Sequence, residues 1–589
     1  MIVAMKKVFI FSQKEHARTA LNDLASLGLL HIEHQNPPSS EEINALTEKL
    51  ALVEQATLIL STVDSRTTSV VLQGKDTMSV CQHIVDLQKR SEQLKEYAVT
   101  LNALIDQWNP WGDFDPQQIC QLAQKNIYVK LYQIPREQLK NINQEIVVKK
   151  IFSQGPIDNC IVFSRNNIQL GFKELEPPKM SLLQMCQRLA EDAGIISNLK
   201  KQLGEYYNYQ DRLLAEKKSL THQKTYFETL QGMGQTEELV YLKGYAPVDS
   251  EEALITEAKQ RGWGIFTVVP QEEDQVPTLL RNPAWISFIK PLLKLLELIP
   301  GYRELDISPL FIIFFSLFFG MLIGDAGYGL VYLLLNFWLH KKLGRKMKDQ
   351  SVFFLFYILS FCAIIWGFLT GTFFGQAWLL NLGIKPLVPE LTNTTFIQGL
   401  CFLIGAVHLS LAHGWKAILK APALEALAEL GWICVIWAVF FLAKNLILGE
   451  NFPLLGNGLI ITGLVLVLFF TSPQRNIFKT IGSGLGTIAL SLVNNFTDVV
   501  SYIRLFAVGL AGVAIADAFN AMAAGIIKKG DFLTIIAAAL VVVFGHALNI
   551  IIGPMSVLVH GVRLNVLEFC GHAGVTWNGF NYKPFGRKE

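Results

Sequence analysis

The chain has 589 residues, a formal net charge of +2 and 51% hydrophobic residues. That balance excludes the broad basic face a nucleic-acid binder needs, and the length exceeds what one hydrophobic core organises, so two or more domains are expected. The mean hydropathy of +0.33 averages two unlike halves. Lys, Glu, Asp and Gln crowd the region up to about residue 291, whereas from Ile307 onward apolar runs of roughly 15 to 25 residues recur with few charges, the pattern of membrane spans. The eight cysteines (Cys81, Cys120, Cys160, Cys186, Cys362, Cys401, Cys434, Cys570) form no C-x-x-C pair. They read as packing residues, and neither a zinc site nor a disulfide framework is indicated. The first 14 residues contain Lys6 and Lys7 and lack a signal-peptide core, which assigns the N-terminal half to the cytoplasm.

Residues 5–35 read as strand, helix, strand, with the helix ending at Gly28. A helical stretch begins near Ser40 and continues into a seam of Val80, Ile84, Leu87, Leu94, Ala98, Leu101 and Ile105, with Ser91 in the polar slot. A second stretch from Ser181 carries Leu182, Met185, Leu189, Ile196, Leu199, Leu203, Tyr206, Leu213, Leu220 and Phe227 on a leakier stripe. Between them, strand-like runs at 127–132 and 159–163 predict a small globular tip that closes a long antiparallel coiled-coil hairpin. Strands at 239–245 and 264–269 around a helix at 250–261 then complete the first α/β unit. The expected division is a cytoplasmic arm, 1–305, made of a proximal lobe (1–35 with 236–275), the hairpin (40–106 and 180–232) and a distal lobe (107–179). Gly232-x-Gly234 lies in a turn and no G-x-x-x-x-G-K-[ST] loop occurs, so direct nucleotide binding is not expected.

The first apolar block, 307–340, would reach about 50 Å as one helix, against a hydrocarbon thickness near 30 Å. Gly324-Asp325-Ala326-Gly327-Tyr328-Gly329 interrupts it, and the basic run Lys341, Lys342, Arg345, Lys346 and Lys348 belongs in the cytoplasm. With a cytoplasmic arm, only two crossings place that run correctly. Further spans fall at 351–375, 396–415, 427–447 and 456–472, with Lys416, Lys420, Arg475 and Lys479 inside. Two blocks of about 40 residues, 482–525 and 532–571, are twice the length of a perpendicular crossing and must tilt or overrun the bilayer. The fold expected is therefore mainly α: α/β lobes joined by a coiled coil, then eight transmembrane helices over 306–575 with the last two long and tilted, and a tail at 576–589. Both termini are expected in the cytoplasm.

The seventh span carries Ser501-Tyr502-Ile503-Arg504-Leu505, an arginine flanked by lipid-compatible residues. A guanidinium at mid-membrane costs at least about 2.5 kcal/mol and cannot escape by losing its proton. The eighth repeats the feature in His560-Gly561-Val562-Arg563, followed by Glu568 and His572. Projected at 100° per residue, Asn549, Ser556, His560 and Arg563 share one face, while Thr487, Ser491, Asn494, Asp498 and Ser501 lead along the seventh helix toward Arg504. These stripes read as walls of two aqueous half-paths meeting at a fixed positive charge, and Asp325 in the interrupted block is counted with them. Beyond Arg504 come small residues (Ala507, Gly509, Ala511, Gly512, Ala514, Ala516, Ala518) that let another surface approach closely. Gly482, Gly484 and Gly486 read as a packed helix entrance rather than a phosphate cradle.

Taken in order, Met5-Lys6-Lys7-Val8, Leu242-Lys243-Gly244-Tyr245-Ala246-Pro247, Arg281-Asn282-Pro283, Phe318-Phe319-Gly320-Met321 with Gly324-Asp325-Ala326-Gly327-Tyr328-Gly329, Ser501-Tyr502-Ile503-Arg504-Leu505 and His560-Gly561-Val562-Arg563-Leu564 resemble the membrane subunit of rotary V/A-type ATPases, called subunit a or subunit I, in its shorter prokaryotic form. The resemblance implies a non-catalytic stator in the cell membrane that grips a rotating ring of small carboxylate-bearing c subunits and passes protons or sodium ions. Arg504 matches the family's essential arginine and Arg563 the supporting one, with His560 and Glu568 matching polar positions beside it. The arm, by the same resemblance, binds peripheral-stalk subunits and the central-stalk collar. Some relatives carry a glutamate where this chain has Gly553 and Pro554, and a histidine where it has Asp498. No cofactor or metal is implied. The rival classes are a secondary transporter, which would show repeated halves, and a membrane-anchored tether, which would not need Arg504 or Arg563. The stator reading expects the Arg504 guanidinium to meet no neutralising acid from its own chain.

Overall fold

The computed structural model describes residues 1–63, 76–139, 146–345, 347, 349–375, 387–471, 488, 491–527 and 531–586. Expectations placed on Lys346, Lys348, Arg475, Lys479, Gly482, Gly484, Gly486 and Thr487 lie outside them. The chain is mainly helical with two small sheets, and packing divides it into two units. One holds Phe11–Gly28 and Glu33–Lys243, and the other holds Met1–Ile10, Leu29–Ile32 and Gly244–Pro584.

The first sheet is ordered β2-β8-β1-β9, with β1 Met5–Gln13, β2 His31–Glu33, β8 Leu239–Pro247 and β9 Gly264–Val268, and a two-residue strand at Gly234–Gln235 (β7) beside β8. Helix α1 (Ala17–Leu27) stops because Gly28 takes the left-handed conformation at φ 61°, which a residue with a Cβ adopts only at a cost.

In the unit built around Glu33–Lys243, α2 (Glu41–Ser61) and α3 (Thr77–Trp108) lead to α4 (Pro116–Gln124). The antiparallel sheet β4-β5-β3-β6 follows, with β3 Tyr128–Pro135, β4 Val147–Gln154, β5 Ile157–Ser164 and β6 Lys173–Leu175. Alternation sorts its side chains: Tyr132, Ile134, Cys160 and Val162 cluster on one face, while Leu131 and Ile161 cluster with Trp108 and Trp111 on the other. The return is made by α5 (Leu182–Glu205), opened by a Ser181–Gln184 capping box, and α6 (Gln210–Gln231). A short turn at Tyr207–Tyr209 divides what the stripe from Leu182 to Phe227 presents as one helix. α2 packs on α6 and α3 on α5. Val80, Ile84, Leu87, Ser91 and Leu101 are buried along α3, with Leu94, Ala98 and Ile105 half-buried.

After α7 (Glu251–Arg261) the apolar helices begin. They are α8 Ser308–Ile323, α9 Ala326–Leu343, α10 Ser351–Thr370, α11 Thr394–Lys420, α12 Glu425–Leu448, α13 Leu454–Phe470, α14 Ser491–Ile527 and α15 Phe532–Ala573. Among the described residues, five are each long and apolar enough to cross a membrane, α13 is shorter, and α8 with α9 forms a pair bent by 120°. The bend has a local cause: Gly324 closes α8 at φ 66°, and Asp325 caps α9 by accepting from the Gly327 and Tyr328 N–H groups. α8 is buried almost all round, against α10, α14 and α15. Elsewhere Leu334, Phe337, Ile365, Leu446 and Leu540 stand exposed, a surface that suits a membrane protein in lipid and not in water.

Helix α14 approaches α8 so closely that a Cβ on Gly509 would lie 2.5 Å from the Met321 carbonyl oxygen. Backbone cannot yield there as a side chain could. Gly509→Ala is expected to cost about 1–3 kcal/mol through overpacking, read as a lower melting temperature in detergent.

The tail returns to its own unit: Thr278 N–H donates to Phe580 O, Tyr582 N–H to Thr278 O, and Gly579 N–H to Ile299 O. Glu304 accepts from Thr576 and from the Gly301 N–H. Burial opposes its ionisation, but these hydrogen bonds outweigh burial and hold its pKa below the ordinary carboxylate value. A depressed pKa stabilises the folded form above the unfolded value and stops doing so as pH falls through the folded one. Faster amide exchange over 576–582 is therefore expected below about pH 4, with Glu304→Gln removing the pH dependence.

Candidate functional site

Two features of the last helices set the geometry. In α14 the regular turn breaks at Tyr502, a fully buried residue whose hydroxyl shares a hydrogen bond with His408 Nδ1 at 2.8 Å. His408 stacks on Phe314 at 3.8 Å and on Phe569 at 4.3 Å, and Gly405 leaves the room the Tyr502 ring fills. In α15, Pro554 has no N–H to offer the Ile550 carbonyl, and the Tyr332 hydroxyl donates to that oxygen at 2.9 Å instead. Wider π-type turns follow at Val557–Gly561 and Leu564–Phe569.

These turns interrupt the regular helix that a 100° projection presumes. Asn549 and Ser556 line a cavity of about 300 Å³ with Tyr328 and Tyr332, and Asn549 donates to Tyr328 Oη at 3.1 Å and to Gly512 O at 2.8 Å. Arg563 stands between the two π-type turns. Its Nε lies 3.6 Å from Glu568 Oε1, and Arg504 Nη2 pairs with that same oxygen. Ser501 Oγ donates to it at 3.1 Å, and Arg504 Nε donates to the Ser501 carbonyl at 3.0 Å. Glu568 is buried, whereas the Arg563 side chain is 54% exposed. His560 is half-buried within electrostatic reach of both guanidiniums.

The expectation that no acid of this chain neutralises Arg504 is thus corrected: Glu568 does. The physical reason is that a buried guanidinium needs a counter-charge with well-placed hydrogen bonds. Two guanidiniums nevertheless share one carboxylate, so the trio Arg504, Arg563 and Glu568 retains one positive charge in excess.

Asp325 does not join this cluster. Its Oδ1 accepts from Gly327 and Tyr328 and its Oδ2 from the Gly375 N–H at 2.9 Å, which makes it the cap of the broken block. Asn494 is exposed and Asn495 takes the buried position. Asp498 accepts or shares a proton with His572 Nε2 at 3.1 Å.

Two features escaped the sequence reading. A cavity of about 510 Å³ opens between α8, α10, α11 and α14, with Asp517, Thr370, Thr372 and Thr394 on its wall and Leu505 and Phe506 at its edge. Toward the other end of α11, His413 joins Glu429 to His572. The signal was present as histidines and a glutamate inside apolar segments, but partners 16 and 159 residues apart are joined only by packing. Among the described residues no cluster of His, Cys, Asp or Glu is arranged to hold a metal ion.

No protein-family model matches the chain. It is 31% identical over 615 residues to the V-type ATP synthase subunit I of Borreliella burgdorferi, across the full length of both chains. It is 29% identical over 633 residues to V-type ATP synthase subunit I 1 of Treponema pallidum, covering 99% of this chain and 100% of that one. The A-type ATP synthase subunit I of Methanocaldococcus jannaschii is 25% identical over 477 residues, 74% of this chain and 66% of that one. A crystal structure of the cytoplasmic N-terminal domain of subunit I, a homologue of subunit a of V-ATPase, aligns with 45% of this chain and 100% of its own at 15% identity. Its TM-score of 0.24 is too low to compare folds.

Proposed function

The chain belongs to the subunit I family of V-type and A-type ATP synthases, and from that premise we propose that it is the membrane stator of such a complex, passing ions along two half-channels against a rotating ring of carboxylate-bearing c subunits. The observation that carries this reading is the sharing of Glu568 by Arg504 and Arg563. One positive charge stays uncompensated in low dielectric, and an ionised ring carboxylate arriving beside the trio neutralises it. The guanidinium thereby favours release of the ion from that carboxylate. Because the cation is permanent, it also keeps ions from leaking between the half-channels.

The two routes lie toward opposite ends of α11. The larger cavity contains Thr394 and borders Leu505, the residue after Arg504. His413, 19 residues further along and so about 28 Å away, belongs to the chain that reaches Asp498. By the positive-inside rule Lys416 and Lys420 place that end in the cytoplasm. Beyond Arg504, Ala507, Ala511, Ala514, Ala518 and Ala521 are all exposed at helical spacing, a surface on which a neighbouring helix can lie close. The ring is its occupant in this reading, so Ala511→Leu should impair coupling while leaving the stability of the chain unchanged.

The same reading has eight crossings, with the 120° bend joining the first two, and both ends of the chain in the cytoplasm. The N-terminal arm, residues 1–305, carries a helical hairpin between its two α/β lobes, binds peripheral-stalk subunits and the central-stalk collar and resists torque; the chain itself binds no nucleotide. Purification of the tagged chain from its native membrane tests the assignment. A large ATP-hydrolysing complex containing c subunits is the expected result, and a lone homo-oligomer overturns it.

A further inference from the structure

The segment that leads into α8 is apolar on its inner side and basic on its outer side. Its two short helices, Ala284–Ser287 and Lys290–Leu295, bury Ile286, Ile289, Leu292 and Leu293 and pack on α8 and α10. Trp285, Lys290, Lys294 and Leu295 are left exposed. Phe288 stacks on Phe354 in the first turn of α10, with ring centroids 5.1 Å apart, so the segment lies level with the end of that span.

The same ring joins the segment to a second basic group. His340, near the end of α9, lies edge-on to Phe354 at 6.0 Å and stacks on Phe353 at 4.6 Å. Lys341, Lys342 and Arg345 follow it, all exposed, and Lys342 Nζ sits 4.9 Å from the centroid of the exposed Trp338 ring. Among the described residues no salt bridge holds Lys290, Lys294, Lys341, Lys342 or Arg345. The acids next to them along the chain are Asp349, within electrostatic reach of Lys290 and Lys294, and Glu297. Positive charge is therefore in excess at this end of α9 and α10.

Water would solvate the lysines but not Trp285 and Leu295, and hydrocarbon would do the reverse. The headgroup layer of a bilayer suits both, since tryptophan settles there with its apolar body toward the acyl chains and lysine stems run along apolar surface with the ammonium outward. A zwitterionic headgroup brings a cation with its phosphate, whereas surplus positive charge favours headgroups of net negative charge. We propose that Ala284–Leu295 and the end of α9 form a binding surface for anionic phospholipid headgroups, with Lys290 and Lys294 on the phosphate and Trp285 and Leu295 in the acyl boundary. By the positive-inside rule it faces the cytoplasmic leaflet. Such a surface is independent of the half-channels and of the ion they pass.

The test uses the full-length chain in nanodiscs of equal parts phosphatidylcholine and phosphatidylglycerol, with the photoreactive residue benzoylphenylalanine in place of Leu295. After irradiation and proteolysis, mass spectrometry gives the ratio of phosphatidylglycerol to phosphatidylcholine adducts, and the same probe in place of Ile365, exposed on α10, gives the reference ratio. Each lysine near the surface is worth about fivefold in local affinity, so the ratio at position 295 is expected to exceed the reference about tenfold. Lys290→Gln with Lys294→Gln should bring it to within about twofold of the reference, while Lys290→Arg with Lys294→Arg keeps it. Both lysines are exposed, so neither pair removes a buried contact. Absence of lipid adducts at position 295 would show the segment clear of the bilayer and overturn the proposal. Equal ratios at the two positions, enrichment that survives the glutamine pair, or enrichment lost in the arginine pair would each overturn it as well.

Discussion

Arg504→Gln is expected to abolish ATP-driven ion accumulation by the reconstituted complex while the complex still assembles. Both halves of that expected result come from the same geometry. Removing Arg504 does not strand Glu568, because Arg563 Nε remains 3.6 Å from the same oxygen and Ser501 still donates to it. The fold therefore tolerates the change. Ion transfer does not, because the excess positive charge is gone, and each charge-assisted hydrogen bond lost to an arriving carboxylate is worth about 1.5–3 kcal/mol. Two such bonds correspond to at least about a hundredfold in rate. Dye-monitored pumping and co-purification of c subunits measure the two halves separately; pumping retained in an assembled Arg504→Gln complex would contradict the function proposed for this residue.

Glu568→Leu should behave in the opposite way. This carboxylate serves two guanidiniums and one hydroxyl, and no other acid touches that trio among the described residues. Taking it away leaves Arg504 largely buried with only the Ser501 carbonyl, and breaking a buried pair from one side costs about 3–5 kcal/mol. A sharp fall in yield and melting temperature is expected. Adding Arg504→Gln to Glu568→Leu should recover most of that stability and none of the pumping, a pattern a double-mutant cycle resolves. If Glu568→Leu proves as stable as the parent chain, the shared ion pair is not what holds α14 to α15.

Local rules carried much of the fold. The strand–helix–strand opening with its stop at Gly28, the seam on α3, the Ser181 cap of α5 and the break at Gly324-Asp325 are effects of periodicity, capping and φ, all written within a few residues. The turn at Tyr207–Tyr209 was not legible because the apolar stripe runs through it. At the site, the presence of Arg504, Arg563, Glu568 and Asp498 within apolar helices was readable as charges that need a reason. Their partners were not, since a 100° projection presumes a regular helix, and the π-type turn at Val557–Gly561 interrupts it between Ser556 and Arg563.

By itself, then, the sequence determined which segments are apolar, where helices begin and stop, and which charges stand where a charge is costly, because each is a property of a residue and its near neighbours. Only the tertiary structure decided that Glu568 neutralises Arg504, that Asp325 is a cap, and that His413 and His572 connect Glu429 to Asp498. Hydrogen bonds and ion pairs act over about 3 Å, and the groups they join here come from different helices, so only packing brings them within range.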